Sequence, residues 1–293
     1  MPTLADMAIG VLGANAALER DTLAAASELR GRRIVALTGA GVSTDSGIPD
    51  YRGEGAPKRT PMTIQQFLGD VAFQQRYWVG SQLGWLRFRA AVPNEGHRVL
   101  AELERDGIVT GVATQNVDGL HTRAGSGRVV DLHGSADQVV CLDCGQVYAR
   151  EDIAARIDAA NPWLRDADAV RIAPDGDAEV VDPAGTDYSR FVLPTCTVCG
   201  GRLKPDVVFF GELIPQQRFR DATALVRASD AMLIAGSSLV VNSGIRLLEQ
   251  ARRRGLPIVI VNRGVTKADA RASVKLDAGT SETLRALAAL LKS

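Results

Sequence analysis

Short runs of consecutive apolar residues recur along this chain, and segments with helical periodicity separate several of them. The runs cover residues 33–38, 108–114, 207–210, 231–235 and 257–261. Such runs are typical of parallel strands, because both faces of a parallel sheet are covered. Residues 14–30 and 243–254 each place apolar side chains on one helical face, and arginines, a glycine and a proline end the second segment. Strands that alternate with helices predict an α/β fold with a doubly wound, Rossmann-like parallel sheet.

The segment from residue 137 to residue 204 breaks this alternation. It contains both Cys-x-x-Cys pairs of the chain and, over residues 161–194, a stretch rich in Pro, Asp and Gly that is typical of loops and turns. We therefore expect a small zinc-binding module over residues 137–204, inserted into a large domain formed by residues 31–136 and 205–293. Residues 1–30 are a separate N-terminal helical segment in this interpretation.

The cysteines are the strongest chemical signal in the sequence. Cys141 and Cys144 form one pair, Cys196 and Cys199 form the other, and a glycine follows each pair. Four thiolates suit a tetrahedral zinc ion, and an ion with all four positions filled by the protein is structural, not catalytic. A redox dithiol or four buried thiols are the alternatives.

Composition and charge narrow the class of protein. Of the 293 residues, 46% are hydrophobic and 23% are charged, which indicates a globular chain and excludes disorder and coiled coil. The 34 basic and 34 acidic residues cancel, so we expect no nucleic-acid partner and no membrane partner. No apolar run could span a bilayer, the N-terminus resembles no signal or transit peptide, and four cysteines are too few for a disulfide scaffold. We therefore expect a cytoplasmic protein.

Small and polar residues follow nearly every predicted strand. The carboxyl ends of parallel strands lie at one edge of a sheet, and open α/β sheets bind their ligands there. The clusters therefore predict a cleft large enough for a nucleotide. They comprise residues 39–43, 115–118, 131–134, 236–238 and 262–264.

The first cluster contains a Gly-Ala-Gly turn at residues 39–41, which could approach a pyrophosphate whose charge the next helix N-terminus favours. Thr44 stands where the dinucleotide fingerprint has a third glycine, so a purely structural turn is an equal alternative. Residues 47–52 follow this turn and are interpreted as a lid over a ligand. The alternative is a surface ion pair between Asp50 and Arg52, which contributes little to stability.

The chain has three histidines. His133 follows a predicted strand and precedes a glycine, so its ring could project into the cleft, and the ordinary pKa of histidine lies near working pH. We therefore select His133 as the candidate general base. His97 lies at a predicted helix start and is interpreted as structural, and His121 could pack beneath the cleft.

Taken together, these motifs resemble the signatures of the sirtuin family. They occur in the family's order, and the match runs from about residue 31 to residue 292. Besides the two cysteine pairs, the motifs are residues 39–43, 47–52, 114–118, 132–134, 209–212, 236–239 and 261–262. Within the family the chain is similar to the class II sirtuins. That similarity lies in residues 77–78, 161–163, 173–177 and 203–206.

The resemblance implies an NAD-dependent protein deacylase that removes acyl groups from lysine side chains and consumes NAD as co-substrate. The acyl-lysine carbonyl oxygen attacks C1′ of the nicotinamide ribose in this family, and the products are nicotinamide, O-acyl-ADP-ribose and free lysine. By resemblance, His133 deprotonates the ribose hydroxyl system and Asn116 positions the ribose and a water. Asp118, with the Ile48 backbone, holds the nicotinamide carboxamide.

The resemblance also implies where NAD and an acyl-lysine peptide or protein bind. A peptide would add a strand between two segments of the chain. The implied peptide contacts are Phe210, Gly211, Glu212, Leu239, Val240 and Val241. The implied NAD contacts are Gly39, Ala40, Gly41, Ser43, Asp50, Tyr51, Arg52, Gln115, Asn116, Asp118, Gly236, Ser237, Ser238, Asn262, Arg263, Gly264 and Thr280.

Two other kinds of function are alternatives to deacylation. A protein mono-ADP-ribosyltransferase would transfer ADP-ribose from NAD to a protein side chain and would not require acyl-lysine. A non-catalytic module would sense NAD, or would bind nucleic acid through its zinc ribbon. The zero net charge counts against nucleic acid.

Overall fold

The computed structural model describes residues 4–51, 61–166, 168–181 and 187–293, which contain eleven strands and nine α-helices. The strands are β1 (Ile34–Thr38), β2 (Val109–Thr114), β3 (Val129–Asp131), β4 (Gly134–Cys141), β5 (Val147–Ala149), β6 (Asp168–Ile172), β7 (Ala178–Val181), β8 (Leu203–Val207), β9 (Ala231–Ala235), β10 (Ile258–Val261) and β11 (Val274–Leu276). The helices are α1 (Leu4–Leu29), α2 (Ile64–Gly69), α3 (Val71–Ala90), α4 (Glu95–Arg105), α5 (Leu120–Arg123), α6 (Arg150–Ala160), α7 (Gln216–Arg227), α8 (Asn242–Arg253) and α9 (Thr280–Lys292).

Six parallel strands form the central sheet in the order β11-β10-β9-β1-β2-β3. The order reverses between β1 and β9, and doubly wound folds bind ligands in the crevice at such a point. The predicted fold class is therefore confirmed, and β1, β2, β9 and β10 match predicted apolar runs. The sequence did not predict β11, because its three residues include the charged Lys275.

The strand predicted at residues 207–210 is wrong. Val207 is instead the last residue of β8, which pairs antiparallel with β4 in a separate sheet of order β5-β4-β8. The apolar run continues past the strand because Phe209 packs among other aromatic rings, while Phe210 is 45% exposed. Ring packing, not membership of the parallel sheet, accounts for these two residues.

Helices cover both faces of the central sheet. In β1, Ile34 and Ala36 pack in a cluster with α1, α4 and α9, whereas Val35 and Leu37 pack in a cluster with α7 and α8. All residues of β1 are buried. Because both faces are covered, no position of β1 faces solvent, and the strand is apolar from Ile34 to Leu37.

A third buried cluster surrounds the three-stranded sheet. It joins Phe67 of α2 and Trp78 of α3 to Ile153 of α6 and Cys141 of β4. The helices α2 and α3 therefore pack against the predicted zinc module, although they precede it in the chain. The division of the chain at residues 137 and 204 remains a prediction. None of the described helices is long and apolar enough to cross a membrane.

Candidate functional site

Two glycine turns meet where the strand order of the central sheet reverses. The Gly39 amide donates to the Ala235 carbonyl oxygen at 3.1 Å, and the Gly41 amide donates to the Gly236 carbonyl oxygen at 2.9 Å. A Cβ atom on Gly41 would lie 2.8 Å from the Gly236 Cα atom, so a side chain would force the backbones apart. The close approach of the two turns therefore requires glycine at residue 41.

The next helix N-terminus was predicted to favour a negative charge at the first glycine turn, but no α-helix of the described residues follows this turn directly. Two 3₁₀ turns follow instead, at Ala40–Val42 and Thr44–Ser46. The helix α9 supplies an N-terminus from a distant part of the chain. Its first residue, Thr280, is buried and donates to the Gly41 carbonyl oxygen at 3.2 Å. The positive end of the α9 dipole therefore lies next to the glycine turn.

Asn116, Ser43 and Asp118 form a buried hydrogen-bonded group beside the first glycine turn. Asn116 Nδ2 donates to the Gly39 carbonyl oxygen and to Ser43 Oγ, both at 3.1 Å. The Ser43 hydroxyl donates to Asp118 Oδ2 at 2.6 Å, and the Leu120 amide donates to Oδ1 at 2.9 Å. Burial raises the pKa of the Asp118 carboxyl, while these two hydrogen bonds oppose the rise. An amide and a carboxyl are thus fixed just after the end of β2.

His133 follows β3 and is held at both ring nitrogens. Nδ1 lies 2.9 Å from the Gln115 carbonyl oxygen, and Nε2 lies 2.9 Å from Ser243 Oγ. A carbonyl oxygen only accepts hydrogen bonds, so in the neutral ring Nδ1 carries the proton and Nε2 carries the lone pair. Burial lowers the pKa of His133, and the hydrogen bond to Gln115 opposes this shift. The ring is therefore neutral at pH 7 and can accept a proton at Nε2.

The other two histidines are buried under the cleft. His97 is part of a capping box with Asn94 at the start of α4, and its Nε2 lies 3.4 Å from Ser43 Oγ. The ring centroids of His97 and His121 are 4.7 Å apart, and His121 Nε2 lies 2.8 Å from Thr38 Oγ1. Burial lowers the pKa of both rings, that of His97 to about 4. These positions fit the structural interpretation of both residues.

The residues after β9 and β10 lie at the other end of the same sheet edge. Ser237 Oγ donates to Gln115 Oε1 at 2.6 Å. Asn262 Nδ2 donates to the carbonyl oxygens of Arg263 and Gly264 at 2.7 Å and 3.3 Å, which closes a turn after β10. The predicted NAD contacts that are half-buried or exposed along this edge are Ala40, Gly41, Gln115, Ser238, Arg263 and Gly264.

An ion pair holds the first predicted peptide segment. Glu212 Oε2 accepts from Lys204 Nζ at 3.0 Å and from the Phe209 amide at 2.9 Å. Lys204 is itself buried, and its ammonium also donates to the Val207 carbonyl oxygen at 2.6 Å. The Glu212 side chain is therefore engaged with β8, and a peptide would meet the backbone of this segment.

The neighbouring residues are more open. Phe210 is 45% exposed, and its ring centroid lies 6.5 Å from that of Tyr51 in an edge-on arrangement. Gly211 has a φ of 78°, in the left-handed region that favours glycine. Asp50 is half-buried and Tyr51 is exposed, whereas Arg52, predicted to contact NAD, lies outside the described residues.

The second predicted peptide segment follows the second glycine turn. Leu239 has a φ of 56° and is the one non-glycine residue with positive φ in the described part of the chain. Such strain is typical of functional segments. The Leu239 side chain is buried, Val241 is 42% exposed, and the Val240 carbonyl oxygen accepts from Lys267 Nζ at 3.2 Å. The side chain that this segment exposes is therefore that of Val241, not that of Leu239.

The four cysteines lie together in the module, and all four are free. Their Sγ atoms lie within 4.8 Å of one another, with 3.6 Å between Cys141 and Cys199 and 3.7 Å between Cys144 and Cys196. A disulfide needs about 2 Å, whereas a tetrahedron of sulfurs around zinc has edges of about 3.8 Å. The arrangement fits the predicted structural zinc and not a pair of disulfides.

Sequence reasoning assigned no role in the site to Ser243 or Lys204, although Lys204 lies within the class II motif at residues 203–206. Ser243 lies 110 positions from His133, and a serine in the first turn of a helix is ordinarily interpreted as a capping residue. Lys204 lies within β8, and its burial depends on Glu212, eight positions away. Both contacts are products of the folded chain, and no local pattern in the sequence indicates them.

The parallel sheet, the paired glycine turns and the four-cysteine module define the class of protein. Residues 39–243 match the model of the Sir2 family, and the chain belongs to this family. The resemblance to the sirtuins is therefore confirmed.

Individual relatives extend this finding over nearly the whole chain. NAD-dependent protein deacetylase 1 of Mycobacterium avium (strain 104) is 52% identical over 264 residues, which are 89% of this chain and 92% of that protein. A solved structure of Sir2 with a p53 peptide and NAD⁺ is 32% identical, with a TM-score of 0.71 over 88% of this chain and 93% of that one. A solved structure of a Sir2 variant with deacetylated p53 peptide and 3′-O-acetyl-ADP-ribose is 31% identical, with a TM-score of 0.70 over 89% of this chain and 95% of that one.

Proposed function

We propose that this chain is an NAD-dependent protein-lysine deacylase. It removes acyl groups from lysine side chains and produces nicotinamide, O-acyl-ADP-ribose and the free lysine. The observation that carries the proposal is a neutral His133 ring with its lone pair on Nε2. Its Nδ1 is bonded to Gln115, the residue directly before Asn116 of the buried group that also includes Ser43 and Asp118. The activity named for the Mycobacterium avium relative, and the NAD⁺, peptide and 3′-O-acetyl-ADP-ribose in the Sir2 structures, support the same reaction.

The cleft residues fit NAD. The glycine turns keep Cβ atoms out of the place where the phosphates approach the backbone, and the α9 N-terminus favours their negative charge. NAD supplies the ribose that receives the acyl group, and it loses nicotinamide. Phosphate and ribose contacts are assigned to Gly39, Ala40, Gly41, Ser43, Asp50, Tyr51, Arg52 and Gln115. Contacts at the adenosine end are assigned to Gly236, Ser237, Ser238, Asn262, Arg263, Gly264 and Thr280.

Asp118 holds the nicotinamide carboxamide in this proposal, together with the Ile48 backbone. Each Asp118 oxygen already accepts one hydrogen bond and has a further lone pair for an amide N–H. Because Asp118 and Ile48 are both buried, water competes weakly for these contacts. Asn116 positions the ribose and a water. Fixed dipoles of this kind favour the charge that develops as the glycosidic bond breaks.

His133 acts after nicotinamide has left. The acyl-lysine carbonyl oxygen attacks without losing a proton, so the first step needs no base. In the second step, His133 Nε2 removes the proton from the ribose hydroxyl that receives the acyl group. Burial lowers the pKa of His133, which keeps the ring neutral and able to accept that proton at pH 7.

The partner is an acyl-lysine peptide or protein that adds a strand between residues 210–212 and 239–241. Main-chain hydrogen bonds suit many peptide sequences, because they do not depend on side chains. We also propose a cytoplasmic location. The four free cysteines support it, because their arrangement suits a metal in a reducing compartment.

Incubation of the purified protein with NAD⁺ and a panel of acetyl-, propionyl-, succinyl-, lipoyl- and long-chain acyl-lysine peptides tests the proposed activity. We expect at least one peptide to release nicotinamide and O-acyl-ADP-ribose in equal amounts, and His133→Ala to abolish the second product. No turnover with any peptide would contradict the proposal. Radiolabelled NAD that marks a protein without acyl-lysine would favour the ADP-ribosyltransferase, and tight NAD binding without turnover would favour the sensor.

A further inference from the structure

Ser243 contacts the candidate base, although nothing in the sequence motifs assigns it a role. It is the second residue of α8, it is buried, and its Oγ lies 2.9 Å from His133 Nε2. Because His133 Nδ1 donates to the Gln115 carbonyl oxygen, Nε2 of the neutral ring has no proton to give. The Ser243 hydroxyl is therefore the donor in this contact.

A chain of hydrogen bonds fixes the direction of that hydroxyl. Ser237 Oγ donates to Gln115 Oε1 at 2.6 Å, and Gln115 Nε2 lies 3.4 Å from Ser243 Oγ. Gln115 Nε2 can only donate, so the Ser243 oxygen accepts from Gln115 and its proton is directed to His133. Gln115 thus contacts both His133 and Ser243. Its backbone carbonyl accepts from His133 Nδ1, and its side-chain amide donates to Ser243 Oγ.

We propose that Ser243 is a positioning residue for the deacylation step. Its hydroxyl donates to the Nε2 lone pair of the tautomer that the Gln115 carbonyl fixes, orients the ring, and stabilises the neutral form until a substrate hydroxyl takes its place at Nε2. The inference rests on the proposed function for its catalytic consequence. The state of the His133 ring in the ligand-free protein does not depend on that function.

Within the described ranges, two hydrogen-bonding groups contact the His133 ring, and only the Ser243 hydroxyl can be removed by a substitution, because the other group is the backbone carbonyl of Gln115. Burial lowers the pKa of His133, and the hydrogen bond to the Gln115 carbonyl opposes this shift. A donor to Nε2 favours the neutral ring, because a protonated Nε2 cannot accept it. Removal of the hydroxyl therefore makes the ring easier to protonate.

Nuclear magnetic resonance of the ligand-free protein gives the direct test, and a chain with three histidines yields few signals. In the wild type, the ¹⁵N shifts of His133 are expected to show a proton on Nδ1 and a hydrogen-bonded lone pair on Nε2. In Ser243→Ala, we expect the pKa of His133 to rise by about one unit. A wild-type ring protonated on Nε2, or an unchanged pKa in the variant, would overturn the proposal. The wild-type measurement remains decisive if Ser243→Ala does not fold.

Activity measurements separate positioning from a general structural role. In Ser243→Ala, deacylated lysine should form about fivefold or more slowly than in the wild type at pH 6, and the difference should narrow by pH 8.5, where both rings are neutral. Exchange of labelled nicotinamide into NAD should stay close to wild type, since that step needs no base. Ser243→Thr keeps a hydroxyl and should restore the wild-type pH profile. The exposed neighbour Asn242→Ala is the matched control.

Equal losses of exchange and deacylation at every pH would overturn the positioning role, because they would place the effect of Ser243 on NAD binding or folding. An inactive wild type would instead contradict the proposed function, and the spectroscopic result would still decide whether Ser243 controls the His133 ring.

Discussion

At the scale of single residues, hydrogen bonds within the candidate site fix the positions of its protons. His133 has one nitrogen committed to a backbone carbonyl and the other to a hydroxyl. Asp118 has each oxygen committed to a donor. Such preorganisation reduces the rearrangement that the reaction requires, because the dipoles already point where they are needed.

Replacement of His133 by Gln should separate the two steps of the reaction. Glutamine keeps a polar side chain of similar length but cannot accept the ribose proton as imidazole does. We expect deacylation to fall by about a hundredfold or more, whereas nicotinamide exchange should change far less. Product chromatography and an exchange assay on the same preparation measure both rates. Ser135→Ala, two positions away, is the control, and a parallel loss of both rates in His133→Gln would contradict the assigned role.

At the scale of elements, the site is formed by strand ends and by the turns that follow them. The glycine turns after β1 and β9 touch each other, and the α9 N-terminus meets the first of them. The edge of the sheet is therefore a continuous backbone surface in which glycine at residue 41 is a steric requirement.

Gly41→Ala should test this requirement. The added Cβ meets the Gly236 backbone at 2.8 Å, so the two turns must separate. We expect a loss of about 1–3 kcal/mol in the free energy of unfolding, together with weaker NAD binding. Urea denaturation and calorimetry of NAD binding measure the two effects. In Gly69→Ala a Cβ meets nothing within 4 Å, so this helical control should be neutral or slightly stabilising. Equal stability of the two variants would contradict the steric argument.

Cys144→Ser should test the second element, the four-cysteine cluster. A hydroxyl is a poor replacement for a thiolate, so we expect the variant to lose stoichiometric zinc and several kcal/mol of stability. Metal analysis measures the zinc content, and thermal unfolding measures the loss of stability. Val198→Ala changes an exposed residue of the same module and should retain zinc. Full zinc content in Cys144→Ser would show that four sulfurs are not required.

The elements also show what the sequence could predict. Strands covered on both faces, such as β1 and β9, were predicted because burial on both sides leaves no solvent-facing position and so favours consecutive apolar residues. The parallel strand predicted at residues 207–210 was wrong, because aromatic packing produces the same local sequence pattern as a buried strand. The helix N-terminus beside the first glycine turn belongs to α9, and its Thr280 lies 239 positions from Gly41, so the local sequence could not indicate it. Ser243 was missed because its contact with His133 depends on how β9 and α8 pack near β3.

At the scale of the whole molecule, buried histidines link the fold to pH. His97 is completely buried, and its pKa is lowered from 6.5 to about 4. An unfolded chain therefore binds this proton at a pH where the folded chain does not. The stability contributed by neutral His97 is present above pH 6.5 and is lost as the pH falls toward 4.

His97→Asn should reduce this acid sensitivity. Between pH 7 and pH 4.5, we expect the wild type to lose about 2–3 kcal/mol more free energy of unfolding than the variant. Asp131, whose pKa burial raises to about 6, has the opposite effect, but it is present in both proteins and cancels in the difference. Urea denaturation of both proteins at pH 7 and at pH 4.5 measures this difference in the free energy of unfolding. Identical pH dependence of the two proteins would contradict the link.

The strands β4 and β8 are paired with each other. They connect the cysteine cluster to His133 and to the first predicted peptide segment. β4 starts one residue after His133 and ends at Cys141, while β8 ends two residues before Phe209. The Val208 amide donates to the His133 carbonyl oxygen at 2.7 Å, which ties the two strand ends together. A change at the cysteine cluster can therefore shift both His133, through β4, and the first predicted peptide segment, through β8. Loss of the predicted zinc should therefore lower the proposed deacylase activity even where the central parallel sheet stays folded.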